Sequence, residues 1–162
     1  MTDPIYYRVK RFFPDKEYET FSKIFGKAEI VSYDASLMVE SCTDSKEEVE
    51  DLHLLLQTPL KSDEQIIAYY KNPTISSSFH KHCMLVEGFE FCGYDLSEDC
   101  TKISAVTNCG GWFETAIPYS KLNAFGLIDE YDEAFRIRDL LAELYDDPHA
   151  YCEVYELWRK LC

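Results

Sequence analysis

Along Ile5 to Phe13 (IYYRVKRFF) the chain alternates, with Ile5, Tyr7, Val9 and Phe13 on one side and Arg8 and Lys10 on the other. A period of two predicts a half-buried strand. The period then changes. After Pro14-Asp15, the apolar positions Tyr18, Phe21, Ile24 and Phe25 share the face of a short helix that Gly26 can close. Ala28 to Tyr33 and Ala35 to Cys42 are strand candidates around a turn near Asp34. Thr43 to Gln57 has helical spacing, with Val49, Leu52, Leu55 and Leu56 as its buried stripe. Its first turns carry Asp44, Glu47 and Glu48, which suit the positive end of a helix. Ser62 to Lys71 reads as a second helix, with Ser62 and Gln65 as a capping box and Asn72-Pro73 as its stop.

The second half is richer in strand signals. Cys83 to Leu96 is interrupted by Gly88 and Gly93, which predict bulges or turns. Ser97 to Cys100 reads as a turn and Thr101 to Val106 as a returning strand, so Cys83 to Val106 is expected as a hairpin in the middle of the sheet. Ser120 to Phe125 suggests a short helix closed by Gly126. Asp129 to Tyr145 is the clearest helix: Tyr131, Ala134, Phe135, Arg138, Leu141, Ala142 and Tyr145 lie along one side, and Asp129 can cap it. The last segment fits two periods. Tyr151, Val154, Tyr155, Trp158 and Leu161 would make a helical stripe, while Ala150 to Trp158 also alternates. A helix followed by a short acidic turn suits a return to the sheet, so a strand is expected there. The resulting architecture is α+β: one domain over residues 1–162, an antiparallel sheet with helices packed mainly on one side.

Composition changes this picture in one respect. At 162 residues, 46% hydrophobic and 28% charged, the chain is an ordinary globular one with enough apolar material for a core. The charge is not ordinary: 16 Lys and Arg against 30 Asp and Glu give −14, with pI near 4.6. That argues against a nucleic-acid binder working through a general basic face. The acids cluster at Asp44 to Asp51, at Glu87 to Asp99, and at Asp129 to Asp147, where eight acids face only Arg136 and Arg138. On the long helix Asp132, Asp139, Glu143 and Asp146 recur at spacings that bring them near one another. Such a row has some likeness to a phosphate backbone; the plainer alternative is a solvated face that serves solubility.

Seven cysteines cannot all pair within the chain. Met1-Thr2-Asp3-Pro4 is acidic and polar, no apolar h-region follows, and no run approaches the length of a membrane span. Reduced, mostly buried thiols in a cytoplasmic protein are expected, with Cys100 and Cys162 as exposed exceptions.

Two constellations invite chemistry. His80-Lys81-His82-Cys83 places two imidazoles at strand spacing, but there is no C-x-x-C pair and Cys92, Cys100 and Cys109 match no common zinc spacing. Cys109, in the turn Asn108-Cys109-Gly110-Gly111, has the backbone surroundings of a nucleophile, and His149 is its best candidate base. Isolated Cys and Gly are equally well explained by a tight turn with a packed thiol. The chain has no phosphate-binding loop, dinucleotide fingerprint, nucleophile elbow or zinc-protease motif. Neither a cofactor nor a metal is expected.

The expected function is therefore that of an acidic, non-enzymatic protein that inhibits or neutralises a basic protein partner. A nuclease toxin or a nucleic-acid-binding protein fits, as for immunity proteins and nucleic-acid mimics; direct nucleic-acid or membrane binding does not. The acidic surface would comprise Asp132, Asp139, Glu143 and Asp146 with Glu98 and Asp99, and the aromatic anchors Tyr94, Tyr131 or Trp112. The alternatives are a small enzyme built around Cys109 and His149, or a structural or regulatory subunit.

Overall fold

The computed structural model describes residues 5–11, 56–57, 59–61, 64–74, 88–98, 104–106, 113–118, 121–123 and 125–161. The order of elements is β1 (Ile5–Arg11), β2 (Glu64–Lys71), β3 (Phe89–Ser97), α1 (Tyr131–Leu144) and β4 (Glu153–Lys160), with a 3-10 turn over Pro148–Ala150. The strands form one antiparallel sheet in the order β1-β2-β4-β3, so the fold is mixed α+β.

β2 replaces the helix expected over Ser62 to Lys71. Ile66, Ile67, Ala68, Tyr69 and Tyr70 are all buried, and β1 and β4 pair on either side. A strand covered on both faces needs no polar alternation, and a run of β-branched and aromatic residues suits it better than a helix with an exposed face. Asn72 ends the strand in the left-handed region, at φ 47°. The side chain of Asn72 ties that end to β4: Nδ2 donates to Glu153, and Oδ1 accepts from Val154 N–H at 3.2 Å. β4 resolves the ambiguous C-terminal segment as a strand.

Among the described strands β3 lies at the edge of the sheet, whereas the hairpin containing it is expected in the middle; β2 and β4 hold that place. Among the described residues its outer edge makes the single bridges Tyr94–Ile128 and Ser97–Ser104. Ala105 N–H still donates to Leu96 O at 2.7 Å, but Ala105 and Val106 form a turn, so the returning strand does not extend through them. The bridge is closed by buried Asp95, which accepts hydrogen bonds from the hydroxyls of Ser104 and Ser97 and from Leu96 N–H.

The predicted interruption at Gly93 is a bulge. Register slips between Phe91 and Gly93, so Phe91 pairs with Trp158 and Tyr94 with Glu156. Residues three apart thereby face the same side, which strict alternation forbids. Gly93 has φ +139°, and a Cβ there would stand 2.8 Å from the Leu127 Cβ and 2.9 Å from Asn123 Nδ2. The bulge thus lets the 123–128 segment lie directly on the strand. Its described residues are held as a turn: Asn123 Oδ1 accepts from Phe125 N–H and Leu127 N–H, and its Nδ2 donates to Cys92 O at 2.7 Å. Of the short helix expected over Ser120 to Phe125, Lys121 has 3-10 conformation, Leu122 and Asn123 are not helical, and Ser120 and Ala124 lie outside the described residues.

α1 buries Ala134, Ile137 and Leu141 against Tyr94, Leu96 and Val154 of the sheet. Tyr131, Phe135 and Tyr145 pack partly into the same cluster, while Ala142, expected on that side, is exposed. Asp129 does not cap the helix: Glu130 holds the N-cap position without a side-chain bond, and Asp129 Oδ1 accepts from Asn123 Nδ2 instead. The opposite face of the sheet buries Ile67, Tyr69, Cys92, Tyr155 and Leu157 beneath Leu127 and Phe125. Leu56, assigned above to a buried stripe, is 50% exposed. The other elements expected between residues 12 and 55, and those over residues 75–87, lie outside the described residues. Among the described residues no helix is long and apolar enough to cross a membrane.

Candidate acidic binding face

The helical period places Asp132, Asp139 and Glu143 on one side of α1, and all three are exposed. Asp146 is exposed too, but it stands two residues beyond the helix end and only prolongs the row. Two arginines interrupt this surface. Arg138 binds Asp139 Oδ1 through Nε at 3.0 Å and Nη2 at 2.9 Å, and stacks its guanidinium over the Phe135 ring. Arg136 grips Glu133 through two hydrogen bonds at 2.6 and 2.9 Å. Those bonds hold the Glu133 carboxyl below its ordinary value, and Lys121 adds a smaller pull in the same direction.

The chemistry of the row is set partly by the helix itself. Asp132 and Glu133 lie in the first turn, where the partial positive charge favours them. Glu143 lies in the last turn, which has no basic residue, so it faces the negative end of the dipole. Its placement costs the helix stability.

Glu98, Tyr94 and Tyr131 do not join this face. Glu98 is 5% exposed, and its Oε2 is turned to within 3.0 Å of His149 Nδ1. Asp147 Oδ1 accepts from His149 N–H at 2.8 Å and fixes the 3-10 turn that carries the imidazole. Tyr94 is fully buried, because the bulge turns it inward to meet the edges of Phe91 and Tyr131. It is therefore a core residue and not a surface anchor. Tyr131 is half-buried and donates its hydroxyl to Pro73 O at 2.6 Å, pinning the start of α1 to the end of β2. Asp99, Trp112, Cys109 and the His80–Cys83 run lie outside the described residues. Among the described residues no three metal-ligating side chains come together. Cys92 and Cys152 are buried.

A groove of about 520 Å³ opens beside the first turn of α1. Its apolar lining comes from Pro118, Leu122, Ile128 and Ile137. Asp129, Glu130, Asp132 and Glu133 contribute carboxylates, with Lys121 as a single lysine among them. Of these residues only Asp132 was singled out from the sequence. The signal was present in the run Ile128-Asp129-Glu130-Tyr131-Asp132-Glu133, but nothing in it shows that Leu122 and Pro118 come alongside.

No known protein family, curated protein or solved structure matches the chain.

Proposed function

We propose that this chain is a non-enzymatic acidic binding protein that neutralises a basic protein, in the manner of a toxin's immunity protein. The observation that carries the reading is the exposed row Asp132, Asp139, Glu143 and Asp146, in which Glu143 occupies a position that weakens the helix bearing it. An acid placed against the helix dipole, as Glu143 is, fits a role in binding better than one in folding. Three charges over the roughly 16 Å of helix between Asp132 and Glu143 are far sparser than the charge of duplex DNA, about one per 1.7 Å. A basic protein with a few spaced cations suits the row better than a site shaped for a nucleic-acid backbone.

The wider reading is one domain with helices mainly on one face of the sheet, supported by α1 lying against β3 and β4. A cytoplasmic location is part of the proposal; a free, buried thiol such as Cys92 is what a reducing compartment maintains. The test is capture of a basic protein from the native host at low salt, its release at high salt, and the rate of its association with the purified chain. Equal capture by a D139K/E143K/D146K variant would overturn the proposal.

A further inference from the structure

We propose that the groove beside the first turn of α1 is a docking slot for an amphipathic basic segment of a protein partner. An apolar side chain of that segment lies on Leu122 and Ile128, and an arginine or lysine reaches the acids at the rim. The assignment rests on the acidic-inhibitor reading above and names where its anchor lies. The row on α1 lies along a helix surface; the groove brings carboxylates and apolar side chains together within one concave surface. Its size falls within the range of ligand sites, roughly 300–1,000 Å³. An occupant with a long aliphatic stem and a cationic head satisfies both parts of the lining, since such side chains lay the stem on apolar surface and keep the head in polar surroundings.

The balance of charge decides the sign of the occupant. The N-terminus of α1 contributes a partial charge of about +0.5, and Lys121 and Arg136 each add a cation. Four carboxylates outweigh these. Arg136 already engages Glu133, while exposed Asp132 makes no ion pair among the described residues. Lys121 competes with the incoming cation from within the groove, so its removal strengthens the site.

The test is a titration of the isotope-labelled full chain with a synthetic peptide of alternating leucine and arginine, followed by backbone amide shifts. A second peptide carries neutral citrulline in place of each arginine. The arginine peptide is expected to shift amides at 121–123 and 128–133 saturably and to bind about tenfold more tightly than the citrulline peptide. D132N, alone or with E130Q, should weaken binding by up to about tenfold, and K121Q should tighten it roughly two- to threefold at low salt. D139N/E143Q should leave the groove shifts unchanged. Neither D132N nor E130Q removes a helix cap, because Glu130 makes no side-chain capping bond, and a dispersed amide spectrum verifies the fold. Equal binding of the two peptides, or no saturable shift in the groove, would overturn the slot. Shifts confined to residues 139–146 would overturn it while leaving the acidic-inhibitor reading intact. That wider reading fails separately, through undiminished partner capture by D139K/E143K/D146K.

Discussion

At Cys92 burial pushes the thiol up to about 12, against an ordinary value of 9.0, outweighing the opposing influence of Arg159. Between those two values the unfolded chain has given up a proton that the folded chain retains. The folded state therefore keeps this contribution in full below about pH 9 and loses it as pH rises, by at most about 1.4 kcal/mol per pH unit. Urea unfolding between pH 8 and 11 should show a steeper alkaline decline for the wild type than for Cys92→Ala, and parallel profiles would refute the assignment. The neighbouring position is constrained by space. Gly93→Ala would drive a Cβ against Leu127 and Asn123 at a φ that side chains rarely adopt. A loss of about 1–3 kcal/mol is expected, measured as a lower denaturant midpoint. A substitution with no effect on stability would mean that the 123–128 segment does not lie on the strand.

For α1, electrostatics and binding pull in opposite directions at its two ends. Glu143→Lys should stabilise the protein by about 0.3–1 kcal/mol, because it puts a cation at the negative end of the dipole. Asp132→Lys should destabilise it by a similar amount at the other end. Thermal midpoints at low salt, converging as salt is raised, would verify both signs; equal shifts in one direction would exclude the dipole as cause. Elements of this kind were the legible part of the fold. α1 announced itself through its period, β1 through alternation, and the bulge through Gly93 inside a strand pattern. β2 was illegible because Ile66 to Tyr70 is apolar at every position, and an unbroken run carries no period. The candidate site suffered from a different loss. Tyr94 and Glu98 look like surface residues by type, but the bulge and the 3-10 turn at Pro148–Ala150 decide where they point. Sequence spacing along one helix could find Asp132, Asp139 and Glu143; it could not find a groove assembled from residues 118–137.

Across the whole molecule a net charge of −14 raises the encounter rate with any basic protein, and the question is how much of that charge is placed for one partner. D139K/E143K/D146K alters only exposed positions, each reversal removing two units of negative charge. Stability should move by no more than about 1 kcal/mol, since exposed ion pairs such as Arg138–Asp139 contribute little and Glu143→Lys offsets part of the loss. Association with a captured basic partner should slow by about tenfold or more at low salt, and the difference should shrink as salt rises past the range where the Debye length is about 10 Å. Dissociation should change less, because it is governed by the desolvated contacts, for which the groove floor at Leu122 and Ile128 offers apolar surface. A control reversing three acids away from α1 removes the same total charge and should slow association only slightly. If the two variants slowed association equally, the molecule would attract its partner by net charge alone. The row on α1 would then be one part of a solubilising surface, with no claim to register or specificity. A position-dependent loss, by contrast, follows only if the partner meets this face.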